Sequence, residues 1–397
     1  MLKLAKGLRE LALDLNGRAA RAVPGKLPTI SRLTQLSNLQ IHGIANDVED
    51  SHLTAALARL TQLTRLSLRF DHEEDDFGDW DETDRVVFPW AAAVCGLTNL
   101  RQLCITADTD IESDCSGMFR GYLPAAVTNL TALQGLTVLG MDTWQVHSGS
   151  NQLSLAALPA LETAALHLHT RSAEFPGLSR QRQLVLSRLV SLKLGLRMCA
   201  QPGEGYEHTC LPTIIAPALT ELSLEDMALA PDSGELRWLP GLPRLRRLVL
   251  THLQTASCEL PQGIMACTGL TELVVECVMV MDCSNSESDS SDVHGQAYVM
   301  EHLPAAGPYL SNLVRLGLPR NAFFNGVPPS VAAATALEVL DLARQHWLTD
   351  ELAARVQGLD VLAKLPRLRS VNLTGFAENG AGIQQFRVAR PDVRLTF

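Results

Sequence analysis

The sequence predicts an α/β solenoid, a stack of short coils in which each coil adds one strand to a parallel sheet. One leucine pattern occurs three times in succession, at Leu219–Leu224, Leu245–Leu250 and Leu270–Val275, with middle leucines 26 and then 25 residues apart. A period of about 20–29 residues is typical of stacked repeats that cannot bury their apolar faces alone. We therefore predict one solenoid domain over residues 1–397.

The same pattern can be followed along almost the whole chain in thirteen units. Each unit ends with apolar residues at every second position, as a strand with one buried face requires. A weaker fourteenth unit, Val393–Phe397, is expected to cap the C-terminal edge of the sheet. The middle positions of the thirteen units are Leu11, Leu39, Leu66, Leu103, Leu136, Ala164, Leu192, Leu222, Leu248, Leu273, Leu316, Leu340 and Val371.

The segments between these units have a different periodicity. They are rich in alanine and leucine, and apolar residues fall near every third position, which favours short α- or 3₁₀-helical turns. Several begin at proline, which suits the first turn of a helix. The predicted helical segments are Ser51–Leu60, Trp90–Leu97, Pro124–Leu130, Pro328–Ala336 and Asp350–Leu365.

The stretch Leu313–Leu342 resembles the leucine-rich repeat family, most closely its plant-type consensus L-x-x-L-x-L-x-x-N-x-L-x-G-x-I-P. Asn321 falls on the asparagine position, Phe323 on the next apolar position, and Val327-Pro328 on the I-P pair. The resemblance implies a right-handed, horseshoe-shaped solenoid with about thirteen short strands on its concave side. Helical, 3₁₀ or irregular segments would lie on the convex side.

The asparagine position is degenerate in this chain. It is kept clearly only at Asn16 and Asn321, while other units carry residues such as Met227, Leu253 or Val278 there. In the family that asparagine bonds backbone groups of the turn. We therefore expect coils less regular than the consensus.

Long spacings between successive middle positions indicate insertions at three places in the chain. Asp71–Asp84 contains nine acidic residues in fourteen, Ala107–Phe119 is a second insertion, and Asp282–Asp292 has almost no apolar content and is expected to be a disordered loop. The first could be a solvated loop, dock onto a basic partner or bind cations weakly. The third offers phosphorylation positions among acidic residues, at Ser284, Ser286 and Ser288.

Composition limits the class of partner and the cellular location. The formal net charge of −10 argues against nucleic acid and anionic membranes, both of which attract basic surfaces. Nine cysteines without paired spacings suggest reduced thiols. Met1–Glu10 is not a secretory signal, and the apolar residues near Val274–Met281, which Glu276 interrupts, are too few to span a bilayer. We predict an intracellular, cytoplasmic monomer.

Catalytic motifs are absent from the sequence: it has no phosphate-binding loop, dinucleotide fingerprint, H-E-x-x-H pair or nucleophile elbow. The prediction is therefore that the chain is not an enzyme and binds no cofactor. His167 and His169 alternate with leucines and should share one strand face, but a zinc site usually needs three or four ligands. Cys267 falls on an apolar position and is expected to be buried.

The function predicted from the fold is protein recognition through the concave face of the sheet, where alternate strand residues point outward. Arginine there lies between two acidic pairs, which could be mutual charge neutralisation or the polar rim of a binding site. The alternative function is substrate recognition for a ubiquitin ligase, which needs an F-box-like segment that does not precede Leu8. The candidate partner-binding residues are Arg65, Arg69, Lys193, Glu221, Glu225, Arg247, Glu272, Glu276 and Arg315.

Overall fold

The computed structural model describes residues 7–15, 30–44, 50–70, 89–107, 119–120, 125–142, 155–170, 183–198, 211–227, 236–255, 260–276, 279–280, 298–299, 303, 307–321, 327–343 and 358–397. The chain divides into two compact units, which are described separately. The first unit comprises Met1–Tyr206 with Leu211–Ala216, and the second comprises Glu207–Cys210 with Pro217–Phe397.

The first unit is built on a parallel sheet whose strand order is β1-β2-β3-β4-β6-β7-β9, with β5 paired to β6. Two further strands, β8 and β10, form a separate parallel pair. The strands are β1 (Glu10–Asp14), β2 (Asn38–Ile44), β3 (Arg65–Phe70), β4 (Gln102–Ala107), β5 (Phe119–Arg120), β6 (Gly135–Asp142), β7 (Thr163–Thr170), β8 (Gln183–Val185), β9 (Ser191–Met198) and β10 (Thr213–Ile215).

The second unit repeats this plan, with parallel strands in the order β11-β12-β14-β17-β18-β19-β20. A small sheet of β13, β15 and β16 lies apart from this order. The strands are β11 (Glu221–Glu225), β12 (Arg247–Thr251), β13 (Gln254–Thr255), β14 (Glu272–Glu276), β15 (Met279–Val280), β16 (Tyr298–Val299), β17 (Arg315–Gly317), β18 (Val339–Asp341), β19 (Ser370–Asn372) and β20 (Arg394–Thr396).

Short helices connect many of the strands, and helices of consecutive coils pack on one another. In the first unit α1 contacts α2, and α2 contacts the next 3₁₀ turn. The α-helices are α1 (Asp50–Leu57), α2 (Pro89–Cys95), α3 (Gln262–Met265), α4 (Leu359–Ala363) and α5 (Ala381–Ala389). The 3₁₀ turns are Ala125–Asn129, Leu155–Ala157, Leu239–Gly241, Pro308–Leu310 and Pro329–Ala333.

The middle residues of the leucine patterns line up as predicted, in one row per unit. Leu11, Leu39, Leu66, Leu103, Leu136, Ala164 and Leu192 are register partners from β1 to β9. Leu222, Leu248, Leu273, Leu316, Leu340, Val371 and Leu395 are register partners from β11 to β20. From Leu39 to Leu192 and from Leu222 to Val371, every member is at most 3% exposed.

The leucines that precede each strand explain how one coil turns into the sheet. The amide of Leu63 donates to the carbonyl of Leu60, whose own amide donates to Leu57, so the chain turns once in every three residues. The same three-residue bonds occur at Leu100, Leu133, Leu245, Leu313 and Leu337. Each turn brings another leucine inward, so leucine spacing alone sets both the turn and the buried face.

The asparagine position behaves as the family resemblance implies at Asn321. Its buried side chain donates from Nδ2 to the carbonyl oxygens of Val275, at 2.6 Å, and Pro319, at 3.1 Å. In two other coils the same position holds Met227 and Leu253, both fully buried. Those coils fill the space with apolar atoms instead of a polar bond. The likeness of this chain to the plant-type subclass stays a prediction.

The fold is therefore that of a leucine-rich-repeat solenoid in each unit, as the sequence predicted. The predicted fourteenth unit is confirmed as β20, which pairs with β19. The predicted helical segments overlap α1, α2, two 3₁₀ turns and α4. Residues 71–84, 108–118 and 282–292 lie outside the described residues, and the single-domain prediction stays untested. No described helix has the length and apolar character needed to cross a bilayer.

Replacing Leu248 with alanine tests the role of the buried row. Leu248 is fully buried between Leu222 and Leu273, so the truncation leaves a cavity that neighbouring coils cannot fill completely. We expect the free energy of unfolding, measured by urea denaturation, to fall by about 2–5 kcal/mol. Val388→Ala is the control, because Val388 is 84% exposed on α5. A Leu248→Ala protein as stable as this control would contradict the arrangement.

Candidate functional site

The candidate site is the sheet face opposite the buried leucine row. Because strand residues alternate between two faces, the residues on either side of each middle leucine point outward. They are exposed or half-buried in β11, β12 and β14, where the leucines and valines between them are buried. The parallel register then arranges the outward residues of successive strands in rows, and neighbouring residues within a row lie about 4.8 Å apart.

In the second unit the outward residues form three rows. The first row is Glu221, Arg247, Glu272 and Arg315, on β11, β12, β14 and β17. The middle row is Ser223, Val249, Val274 and Gly317, and the third is Glu225, Thr251 and Glu276. The structure thus brings six of the nine predicted site residues together on consecutive strands of one sheet.

Charges in these rows are partly neutralised by one another. Arg247 Nε lies 3.3 Å from Glu272 Oε1, and Ser223 Oγ donates to Glu225 Oε1 at 3.0 Å. The Arg247 side chain is 47% exposed, so this ion pair contributes well under about 1 kcal/mol to stability. Charge neutralisation across strands is therefore present, and it is too weak to explain the surface as a stability device.

The middle row of the second unit is mainly apolar. Val249 and Val274 are half-buried, and Gly317 lies beside Val274. A Cβ added at Gly317 would stand 3.3 Å from both Val274 methyl groups, so glycine keeps the surface low there. An apolar middle row flanked by charged rows has the layout of a protein interface, with an apolar centre and a polar rim.

In the first unit the predicted residues are more scattered. Arg65 and Arg69 both stand exposed on β3, and Lys193 lies half-buried on β9. Four inter-strand steps separate β3 from β9, about 19 Å at the usual strand spacing. Arg65 and Arg69 therefore form one basic pair, and Lys193 is not part of it.

The sequence reasoning missed a group of charged residues at the ends of the strands. Asp226, His252 and Arg320 each adopt a left-handed backbone, with φ of 52°, 51° and 57°. Each precedes the asparagine position of its coil, at Met227, Leu253 and Asn321. The recurrence of a polar residue before a buried one at this point is the signal that could have identified them.

These strand-end residues connect neighbouring coils of the second unit. His252 Nδ1 lies 3.2 Å from Asp226 Oδ1, and Arg320 Nη1 lies 3.1 Å from Glu276 Oε1. The hydrogen bond that His252 donates to the Asp226 carboxylate is the main cause that raises the pKa of His252, while partial burial opposes it. Glu276 adds a further attraction, and Arg320 a repulsion.

Of the two histidines considered for metal binding, His167 has a packing role on β7. A Cβ at Gly195 would lie 2.3 Å from His167 Cδ2, so the imidazole occupies the space that glycine leaves on β9. The side chain of His169 lies outside the described residues. Within the described part of the chain, no three histidine, cysteine, aspartate or glutamate residues are placed to hold a metal ion.

The described cysteines are packing residues rather than nucleophiles. Cys95, Cys104 and Cys267 are free thiols. Burial raises the pKa of all three, and that of Cys267 reaches about 11. Cys267 is buried as predicted and its Sγ donates to the carbonyl of Gly263 at 3.3 Å. Thiols with raised pKa values hold little thiolate at neutral pH, so they are poorly reactive.

Comparisons with known proteins found similar solved structures of leucine-rich repeat proteins. No family model matches the chain, and no curated protein matches it in sequence. An internalin, InlF, from Listeria monocytogenes aligns over 93% of this chain and 88% of its own, with 14% identity and a TM-score of 0.41. A leucine-rich repeat protein of Leptospira interrogans aligns over 99% and 94%, with 15% identity and a TM-score of 0.37.

A third similar structure is the leucine-rich repeat domain of APL1B. It covers 88% of this chain and 72% of its own, with 15% identity and a TM-score of 0.36. Similarities at this level carry no argument about function. The fold assignment accordingly rests on the register, burial and hydrogen bonds of this chain's own coils.

The Asp226–His252 pair predicts a pH-dependent stability. Because the pKa of His252 is raised in the folded chain, the stabilisation that protonated His252 provides is fully present below its unfolded pKa of about 6.5. That stabilisation is lost as the pH rises through the folded pKa. We expect stability against urea to fall between pH 6 and pH 8.5 by a larger amount in the native protein than in Asp226→Asn. Asparagine tolerates the left-handed backbone at this position. Equal pH dependence in both proteins would contradict the pairing.

Proposed function

We propose that this chain is a non-enzymatic interaction scaffold that binds a protein partner through the outward sheet face, which we predict to be concave. The observation that carries the proposal is the mainly apolar middle row of the second unit, in which Val249 and Val274 lie half-buried between two charged rows. A scaffold of stacked coils holds these side chains in place without needing them for its own stability. The surface can therefore be used for recognition.

The apolar and the charged side chains of this face are expected to contribute differently to binding. Val249 and Val274, both half-buried, would supply apolar contact area. The glutamates and arginines around them would set specificity and orientation, because charge complementarity governs partner choice more than affinity. Three of the cationic side chains on or beside these rows, Arg247, His252 and Arg320, are paired with Glu272, Asp226 and Glu276 respectively.

Partner, oligomeric state and location belong to the same proposal. We propose a protein partner rather than nucleic acid or membrane, because the chain has a formal net charge of −10. We further propose that it acts as a monomer in the cytoplasm. No feature of the described residues favours the alternative role as a substrate-recognition subunit of a ubiquitin ligase, so that role is not proposed.

Reversing four charges on the outward face tests the proposal. The variant carries Glu221→Lys, Glu225→Lys, Glu272→Lys and Glu276→Lys. With the purified chain as bait in extract of its native cells, we expect quantitative mass spectrometry to show specific proteins that the native chain captures and the variant loses. The physical reason is that four attractions or hydrogen bonds at the rim become repulsions.

A second quadruple variant gives the matched control. Glu162→Lys, Glu338→Lys, Asp360→Lys and Glu378→Lys make the same change in net charge at positions outside the outward rows. This variant also breaks three exposed ion pairs, with Arg188, Arg369 and Arg387. We expect it to capture the same proteins as the native chain. Identical capture by both quadruple variants would reject the outward face as the binding site.

A further inference from the structure

The arginines around the apolar middle row of the second unit differ in what they contact. Arg247 lies 3.3 Å from Glu272, and Arg320 lies 3.1 Å from Glu276. Arg315 is exposed on β17 as the register partner of Glu272, yet it pairs with no acidic side chain in the part of the chain that the structure describes. The charge of Arg315 is therefore available, whereas those of the other two arginines are neutralised.

The carboxylates of the following coil, on the other side of Arg315, are engaged with other groups. Asp341 Oδ1, on β18, accepts a hydrogen bond from Asn372 Nδ2 at 3.0 Å. Glu338 directly precedes β18, and its Oε2 lies 3.6 Å from Arg369 Nη1. The described acidic side chains on both neighbouring strands of Arg315 therefore have partners of their own.

The coil that carries Arg315 contains no acidic residue. The sequence has none between Glu301 and Glu338, so nothing close to Arg315 along the chain can serve as its counter-charge. A carboxylate for Arg315 has to come from a more distant segment or from another molecule.

Arg315 lies at the border of the apolar patch. Its register partner on β18 is Val339, which is half-buried. Val274, also half-buried, lies one strand away and two residues further along. These two displacements place the Cα atoms of Arg315 and Val274 about 8 Å apart. A partner that covers the valines would also remove water from the guanidinium, and hydrogen bonds to a charged group are stronger in such surroundings.

An extended partner segment can reach both groups at once. Its side chains at positions i and i+2 share one face and lie about 7 Å apart, close to the distance from Arg315 to Val274. The planar guanidinium fork matches a carboxylate in two parallel hydrogen bonds. An acidic residue two positions from an apolar residue therefore fits this part of the face.

We propose that Arg315 is a specificity-determining residue of the outward face, and that it binds the carboxylate of one acidic residue in an extended partner segment. An apolar residue two positions away in the same segment packs on Val274. The proposal rests on the proposed function as an interaction scaffold and names the chemistry of the partner segment. A carboxylate at Arg315 forms a new ion pair, whereas one at Arg247 would have to displace Glu272.

Selection from a phage-displayed library tests the proposal, with the full chain as bait and random peptides of about twelve residues, about 40 Å when extended. We expect the native chain to enrich peptides with an acidic and an apolar residue two positions apart. In Arg315→Glu this enrichment should fall about tenfold or more, which corresponds to about 1.4 kcal/mol. Lysine or arginine should replace the acidic residue in the peptides that this variant selects, a switch that a merely structural role would not produce.

The matched control is Arg394→Glu. Arg394 lies in the same outward row on β20, three strand steps from Arg315, and is exposed without an ion pair among the described residues. Its neighbours in the middle row are Asn372 and Thr396 instead of valines. We expect this variant to select the same peptides as the native chain. Circular dichroism of both variants should match the native spectrum, which would show that the coils remain folded.

Three results of the selection would overturn the proposal. The first is that the native chain enriches no peptide, and the second is that Arg315→Glu keeps the native preference. The third is an equal loss of the preference in Arg315→Glu and Arg394→Glu, which would show an effect of net charge alone.

A further variant asks whether an acidic segment of this chain serves as the counter-charge. It carries Asp282→Asn, Glu287→Gln, Asp289→Asn and Asp292→Asn. We expect it to select the same peptides as the native chain, to a similar extent. Enrichment of the acidic peptides by this variant and not by the native chain would assign the carboxylate to the chain itself and overturn the proposal.

The capture experiment separates this proposal from the proposed function. If Arg315→Glu leaves the captured proteins unchanged while the Glu221, Glu225, Glu272 and Glu276 variant loses them, the specificity proposal fails and the scaffold function stands. If neither variant differs from its control, the scaffold function fails as well. Loss of a captured protein in Arg315→Glu, with retention in Arg394→Glu, supports both.

Discussion

The constraint on which the whole structure depends is that no coil can bury its leucines or pair its backbone without its neighbours. Leu248 is covered on its two sides by Leu222 and Leu273, which belong to the preceding and following strands. The backbone obeys the same rule. The amides of both Arg246 and Arg247 donate to the carbonyl of Thr220, one coil earlier. Burial and hydrogen bonding are thus shared between coils, as expected for a repeat protein.

This sharing leaves the outward face available for function. The interior requires leucine or a similar residue at fixed positions, whereas the outward side chains contact mainly solvent and one another. The spacing between middle residues varies from 24 to 43 residues, yet the register is kept, because extra residues leave from the ends of the strands. Chemistry can therefore differ between the outward faces of the two units, with arginines on β3 and glutamates on β11 and β14, while the interior of each unit stays leucine-rich.

The sequence predicted the elements that depend on periodicity. The leucine row, the three-residue turns and the helices that follow Asp50 and Pro89 all follow from leucine spacing, and the structure confirms them. Strands β8 and β10 were missed, although Leu184 and Leu186 are buried while Val185 is exposed between them. That alternation is typical of a strand, and it lies in a segment where the other coils have helices.

Parts of the candidate site could not be predicted, because they depend on which side chains meet across coils. Alternation along one strand placed Glu272 and Arg247 on the outward face, but it could not show that Arg247 pairs with Glu272. The contact between His252 and Asp226 requires two left-handed residues at strand ends, a backbone geometry that periodicity does not encode. Packing of His167 over Gly195 is likewise a contact between separate coils.

Native-state hydrogen exchange tests the interdependence of the coils most directly. The amides of Arg247, Glu272 and Arg315 each donate to the preceding coil, and Arg394 does the same in the strand that ends the row. If coils are stable only through their neighbours, the three interior amides should exchange slowly with similar opening free energies, and Arg394 should exchange faster. Interior amides that exchange as fast as Arg394, each with its own opening free energy, would show that every coil is stable alone and would contradict the account.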